Sequence, residues 1–357
     1  MHAVRVHDTD LSSPYSATYP APPSALHVDG DVEIPLPSRP GEVLVRIHAS
    51  AVVRDELTWP ETYHKKLAIP GHDFSGTVVR LHESIDKQIS FRTGDEVYGM
   101  VAAEKAGIWA EYAVVEANEL ALKPRELNWE EAAAVPLSGL TAWQALFDHG
   151  KISAPDLTGP TAETTQDTSK PIQTLLITGA AGGVGIYAVQ LAALAKNLHV
   201  VAATSSNDRN KTFLESLGAH EVIEYQDLSS RDKSVDVVID MVGGKILEKC
   251  WSVVKDHGTL VSIDSASYDF VKEHREKAFT NGKKDVDAKF FIVECSSEQL
   301  ERLRSAIDQG LVKVFVAETF LMKDAKLAYK VASEKLSNRG KVILNCKMPE
   351  IDNFSVE

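Results

Sequence analysis

The stretch TLLITGAAGGVGIYAVQLAALAK, residues 174–196, carries three patterns in succession. Leu175, Leu176 and Ile177 form the short apolar run of a buried strand. A turn of small residues follows, Gly179, Ala180, Ala181, Gly182, Gly183, Val184 and Gly185. Ile186, Val189, Gln190, Ala193 and Leu194 then recur at helical spacing. Strand, tight turn and helix make the first βα unit of a dinucleotide-binding fold. Ala180-x-Gly182-x-x-Gly185 stands in the fingerprint position, with Ala for the first Gly. Small residues let the main chain turn sharply and approach a pyrophosphate, and the N–H groups and dipole of the helix start favour the anion. Ala181, Gly182, Gly183, Val184 and Gly185 are therefore candidate cofactor-binding residues.

Outward from this unit, strand patterns at 174–178, 199–203, 221–224, 235–240 and 258–263 alternate with helix patterns at 183–196, 208–217 and near 244–254. That alternation predicts an α/β protein with a Rossmann doubly wound parallel sheet. A sixth strand is expected at 290–294 and an amphipathic helix at 297–309. The segment 264–288 is polar and reads as an ordered lid or a surface loop. The chain before residue 129 reads instead as all-β. Val4 and Val6 alternate with polar residues, as do Val43, Val45 and Ile47, the pattern of a half-buried strand. Further strands are expected in 71–79, 95–98 and 111–115, with an extended loop over 12–40. Val314-Phe315-Val316 and 341–344 return to strands. The expected domains are therefore a β-rich substrate domain built from 1–128 and 297–357, and a dinucleotide-binding domain at 129–296. The Thr-rich stretch 153–171 reads as a mobile insertion.

A chain of 357 residues favours two domains, and its composition is that of an ordinary globular protein. A net charge of −13 argues against a nucleic-acid or anionic-membrane surface. No apolar run approaches the length of a membrane span. The opening MHAVRVHDTD lacks a basic-then-apolar signal pattern, and three scattered cysteines suit a reducing compartment. The expected location is the cytoplasm.

An acid at the end of the second Rossmann strand would hold the ribose 2′-OH of NAD and repel a 2′-phosphate. Counted from Gly185, that place is near Thr204, where the chain reads Thr204, Ser205, Ser206, Asn207. Hydroxyls there can donate to a phosphate, and Arg209 and Lys211 add positive charge. Asp208 opposes this, unless it serves the next helix. Ser205, Ser206 and Arg209 are thus candidates for a 2′-phosphate pocket, and NADP(H) is the expected cofactor. Val242 and Ile263 follow the fourth and fifth strands and should line the cofactor site at the carboxyl ends of the sheet.

The order GEVLVRI, IPGHDFSGTVV, GDEVYG, AAAVPLSGLTAW, LLITGAAGGVGIYAVQLA, LGAHEVIEY, RGKVIL resembles the medium-chain dehydrogenase/reductase family, in its zinc-independent quinone oxidoreductase and enoyl reductase branch. The resemblance implies a GroES-like substrate domain beside the Rossmann domain, with the active site in the cleft between them. It also implies that Thr141 contacts the nicotinamide carboxamide and that Tyr225 lies at the adenosine-phosphate edge. Tyr63 matches a tyrosine near the substrate in relatives. The zinc members' ligand positions fall here at Val52, His72 and Ser138. One imidazole cannot hold a zinc ion that needs three protein ligands, so no metal is expected.

Without a Lewis acid the suitable substrates are those that spread charge as hydride arrives, an activated C=C (enone or enoyl thioester) or a quinone. Arg54 and Tyr63 are the candidate catalytic donors. Val52 stands where the branch usually has Asn, which removes a polar group. Phe290 and Phe291 read either as a nicotinamide wall or as core. The expected function is an NADPH-dependent reductase. The alternatives are a non-catalytic NADPH-binding protein and a stand-alone enoyl reductase serving a polyketide synthase. The expected partner is a small-molecule substrate, and the edge of the sixth strand could pair two copies.

Overall fold

The computed structural model describes residues 1–8, 15, 16, 18–82, 91–103, 105, 107–157, 171–334 and 336–347. The chain divides into two compact units. The first comprises Met1–Leu137, Cys295–Arg304 and Val314–Glu357, the second Ser138–Glu294 and Ser305–Lys313. Most of the insertion expected at 153–171 lies outside the described residues.

In the second unit, strands β8 (Gln173–Ile177), β9 (Leu198–Thr204), β10 (Glu221–Glu224), β11 (Val235–Asp240), β12 (Val254–Ser262) and β13 (Asp287–Phe290) form one sheet, ordered β10-β9-β8-β11-β12-β13. All pairs are parallel. This is the doubly wound Rossmann order, whose direction of winding reverses between β8 and β11. Helices α4 (Gly183–Ala193), α5 (Asn207–Ser216) and α6 (Gly244–Val253) are its crossovers. The core is apolar on β8, β9, β11 and β12, as strands covered on both faces require. The sixth strand runs over Asp287–Phe290, not 290–294. Its pairing with β12 ends at Phe290. Beyond it the Gln144 side chain exchanges hydrogen bonds of 2.8 and 2.9 Å with the Glu294 main chain, which draws the chain out of the sheet.

Residues 264–288 are ordered, and α7 (Phe270–Arg275) lies within them. The Arg275 guanidinium stacks on Trp251 at 5.0 Å and donates to the Lys283 and Val286 carbonyls. Trp251 Nε1 donates to His274 Nδ1 at 2.9 Å. The segment is thereby fastened to α6.

In the first unit β1 (Ala3–Val6) pairs antiparallel with β2 (Leu26–Asp29). The expected loop over 12–40 thus contains a strand, because Leu26 is driven into the core. A larger sheet joins β3 (Glu42–Val52), β4 (Asp73–Leu81), β5 (Glu96–Met100), β6 (Tyr112–Glu116), β7 (Leu120–Leu122), β14 (Val316–Leu321) and β15 (Lys341–Asn345). Its order is β14-β15-β3-β4-β5-β7, with β6 on β3. Strand β3 is buried on both faces, not half-buried. Val43, Val45 and Ile47 enter the main core, while Ala49 and Ala51 pack with Ile343 under Ala133 and Ala134.

The last two alanines explain a boundary. Helix α2 (Trp129–Ala133) opens on an Asn128–Glu131 capping box and belongs to the first unit, so the units part at Leu137/Ser138 instead of 128/129. Helix α3 (Pro136–Trp143) restarts on Pro136, whose ring is suited to the first helical turn. Helix α8 (Ser297–Asp308) is shared between the units. Ser305 and Gln309 both donate to the Leu157 carbonyl, which holds 305–313 with the second unit. Remaining helices of the first unit are α1 (Pro60–Tyr63) and α9 (Ala325–Ser333).

The buried Tyr98 hydroxyl donates to the Leu300 carbonyl at 2.6 Å and fastens 295–304 to the first unit. Tyr98→Phe removes this bond to a carbonyl inside α8 and should cost about 1 kcal/mol, read by urea unfolding. An unchanged midpoint would show that the bond does not hold this segment.

Candidate active site

At the carboxyl edge of the second unit's sheet, the turn after β8 is shaped by main-chain crowding. Gly179 has φ of +64°, so it and not Ala180 makes the sharp turn. A carbon added at Gly185 would lie 2.3 Å from the Gly179 carbonyl oxygen and 2.6 Å from Ala180 main-chain atoms. Gly182 is the N-cap of α4, which has neither a side-chain cap nor an acid in its first turn. The first-turn N–H groups of an α-helix have no partner within the helix. This uncapped end of an eleven-residue helix, reached over glycine, fits the pyrophosphate of a dinucleotide. Gly183, Val184 and Gly185 form its first turn, and Ala181 precedes the cap.

Neighbouring strands brace the turn. Tyr225, just beyond β10, accepts the Gly179 N–H at 3.1 Å through its hydroxyl, and its own N–H donates to the Thr204 carbonyl. Asp240, at the end of β11, is fully buried. Its carboxyl accepts from Thr178 Oγ1 at 2.6 Å, Ser262 Oγ at 3.0 Å and the Gly243 N–H at 3.0 Å. Burial raises its pKa against those three donors. Thr178 Oγ1 in turn accepts the Met241 N–H. Asp240 therefore ties β8, β11 and β12 together at the edge where Val242 and Ile263 emerge. The Val242 side chain comes within 3.3 Å of where a carbon on Gly179 would be. Sequence reasoning passed over Asp240, although an acid closing the run VDVVID before Met-Val-Gly-Gly was its visible sign.

At the end of β9, Thr204 turns inward and its hydroxyl accepts from Asn210 Nδ2, so it is not an outward-facing donor. Ser205 is exposed, Ser206 is the N-cap of α5, and Asp208 sits in that helix's first turn, where its charge complements the helix dipole. Arg209 and Lys211 are exposed on α5. Thr141 is buried on α3.

In the first unit, Arg54 is exposed. Tyr63 ends α1 half-buried against the β-domain core, with the His64 ring edge-on at 4.7 Å. The residues gathered beside it are others. His72 Nε2 faces Glu61 Oε1 at 3.0 Å, and Trp59 lies 5.3 Å from the imidazole. Glu56 is fully buried and accepts the Gly71 and Val53 N–H groups. Burial pushes Glu56 up to about 7, while His72 and those two N–H groups pull it down. Burial works against a charged His72, but Glu61 and Glu56 hold its pKa above the ordinary value. Asp73 is buried with Lys341 at 3.7 Å and accepts the Leu137 N–H at 2.5 Å. Among the described residues no three His, Cys, Asp or Glu side chains stand where they could hold a metal ion. Val52 offers only hydrocarbon and His72 is turned to Glu61, so this cluster does not fit a resident zinc.

Two family models match the chain, "Alcohol dehydrogenase GroES-like domain" over residues 39–125 and "Zinc-binding dehydrogenase" over residues 217–344. A probable zinc-binding oxidoreductase, mitochondrial, from Arthroderma benhamiae is 35% identical over 85% of this chain and 88% of its own length. Quinone-oxidoreductase QR1, chloroplastic, from Triphysaria versicolor is 31% identical over 84% of this chain and 88% of its own. The solved structure of a quinone oxidoreductase from Coxiella burnetii shares the fold, with TM-score 0.76 at 23% identity, covering 97% of this chain and 99% of that one. A GroES-like domain joined to a Rossmann domain with a dinucleotide turn defines an NAD(P)H-dependent oxidoreductase. The chain belongs to the medium-chain dehydrogenase/reductase family and is quinone oxidoreductase-like. No helix among the described residues is long and apolar enough to cross a membrane. The two relatives' names place them in organelles, so they lend no support to a cytoplasmic location.

Two outcomes test these geometries. Gly185→Ala should cost about 2 kcal/mol or more through overpacking against main chain and abolish measurable dinucleotide binding by calorimetry; binding at wild-type strength would refute the crowded turn. The second concerns Glu56. Its folded pKa, about 7, exceeds the ordinary 4.5, so its stabilising contribution is complete below about pH 4.5 and disappears as pH rises through about 7. Glu56→Gln removes that titration. Unfolding free energies across this range should show the wild type losing stability relative to the variant as pH rises, and parallel profiles would contradict the burial assigned to Glu56.

Proposed function

We propose that the protein is an NADPH-dependent reductase that transfers hydride to an activated C=C (enone or enoyl thioester) or a quinone without zinc. The observation that carries this reading is the uncapped α4 N-terminus over Gly179 and Gly185, beside an α5 start bearing Ser205, Ser206, Arg209 and Lys211 with no acid on β9 itself. The bound nicotinamide supplies the hydride. The chain's part is to hold the pyrophosphate on main-chain N–H groups, seat the adenosine end along Tyr225, and place the nicotinamide by Thr141, Val242 and Ile263.

The zinc-free reading rests on the Glu61–His72 pairing and on Val52. With no Lewis acid, a simple ketone lacks its electrophile, whereas a quinone or enone delocalises the incoming charge. The printed name of the Triphysaria relative, a quinone oxidoreductase, agrees with that substrate class. Tyr63 is proposed as the proton or hydrogen-bond donor to the developing oxyanion, with Arg54 nearby in sequence at the same end of β3. For assembly we propose a homodimer through the edge of β13, the last strand of its sheet, where Ile292 beyond it is 69% exposed.

The test is oxidation of NADPH in the presence of a chelator, with a benzoquinone, an enone and a simple ketone as acceptors. Turnover of the first two and not the third is expected. Arg209→Ala should weaken NADPH binding about tenfold, about 1.4 kcal/mol, and leave NADH binding unchanged. Tyr63→Phe should lower kcat by about 100-fold at unchanged cofactor affinity. Loss of activity to the chelator would overturn the zinc-free reading. No turnover with any acceptor would overturn the reductase reading.

A further inference from the structure

Strand β9 carries no acid. The fold brings one from the next strand. Glu224 closes β10 and stands in register with Thr204, which closes β9. Its Oε1 accepts the main-chain N–H of Asn207, the first residue of α5, at 2.8 Å. Its Oε2 accepts from Gln226 Nε2 at 3.1 Å. The next residue, Tyr225, bonds both Thr204 and the glycine turn, which fixes this corner relative to the pyrophosphate site. A carboxylate therefore sits at the start of α5, directly after Ser205 and Ser206, where an acid on β9 would otherwise reach.

We infer that Glu224 is a specificity-determining residue of the cofactor site, one that opposes a 2′-phosphate and accepts a ribose 2′-hydroxyl, so that the protein uses NADH as well as NADPH. The inference rests on the nicotinamide-reductase reading above and deepens it. A carboxylate can accept a hydrogen bond from a hydroxyl but meets a phosphate dianion as a like charge, and like charges a few ångströms apart repel near a protein surface. It also takes the first N–H of α5, one of the donors a phosphate would claim. Arg209 and Lys211 work in the opposite direction. The Lys211 ammonium lies 4.0 Å from Glu215 on its own helix, which dilutes its charge toward a ligand. Cations on one side and Glu224 on the other leave a corner that admits both dinucleotides.

The experiment is calorimetric titration of the full chain with NADPH and with NADH, for wild type, Glu224→Gln and Glu224→Ala. Gln keeps the shape and an oxygen for the Asn207 N–H, and its amide can donate to phosphate, so folding is preserved. The expected result is a rise of about tenfold in NADPH affinity, about 1.4 kcal/mol, with NADH affinity equal or lower, and a shift in the same direction for Ala. A purely structural role would weaken both dinucleotides together and leave their ratio fixed, and a fixed ratio overturns the inference. The wild-type preference is a separate readout. If wild type favours NADH while the ratio still shifts in Glu224→Gln, the assignment of Glu224 stands and the NADPH preference proposed above falls. Binding of neither dinucleotide overturns both.

Discussion

The close approach of α4 to the main chain of Gly179 and Ala180 sets the position of everything else in the second unit. The helix starts directly over two carbonyl groups with no room for a side-chain carbon at residue 185. That contact aims the first-turn N–H groups outward at the carboxyl edge of the sheet. The turn is then held from three strands: by the Tyr225 hydroxyl after β10, by Thr178 at the end of β8, and by Asp240 on β11 reaching Ser262 on β12. Asp240 is costly to bury, and the donors around its carboxyl, Thr178, Ser262 and the Gly243 and Val242 N–H groups, offset part of that cost. The network keeps the turn fixed while the start of α4 carries no side-chain cap.

The first unit solves a similar problem around Gly71. This residue has φ of +99°, and a carbon on it would collide with the Trp109 indole. Trp109 is itself pinned, its Nε1 donating to the Ala51 carbonyl. The Gly71 N–H is taken by Glu56. His72 follows at once, so its ring is delivered into a pocket already walled by a carboxyl, a tryptophan and Glu61. In that setting the imidazole is a partner for acids, its Nε2 facing Glu61 and its charge favoured by Glu61 and Glu56.

Periodicity was legible wherever one rule governed a segment. The first five Rossmann strands, α4 and α5 follow from apolar spacing and the glycine turn alone, because each must bury a face on its neighbours. Strand β3 reads as half-buried in isolation, since the helix that covers its second face comes about eighty residues later. Its alanines at 49 and 51 are small precisely because α2 lies on them, a fact no local pattern contains. The apolar run 290–294 suggests the sixth strand, whereas pairing with β12 selects Asp287–Phe290. Individual roles were harder. Glu56, Glu61 and Asp240 look like ordinary acids in the sequence, and only their burial among named donors distinguishes them. Tyr63 enters through the resemblance and Arg54 through its residue type; the fold packs Tyr63 half-buried against the β-domain core and leaves Arg54 exposed.

Charge completes the picture. A chain with net charge −13 has no long-range attraction for a polyphosphate. The glycine turn avoids the difficulty by offering N–H dipoles at contact distance, where helix-end donors outweigh a distant and salt-screened field. Pyrophosphate recognition on such a turn is then nearly independent of surface charge. On the proposed reading, side-chain charge matters at the adenosine end, where α5 brings Arg209 and Lys211 and β10 brings Glu224 to the same corner. The tie between the two places runs through Tyr225, whose hydroxyl accepts the Gly179 N–H and whose own N–H donates to the Thr204 carbonyl, so exposed side chains on α5 such as Arg209 and Lys211 can change without disturbing the turn.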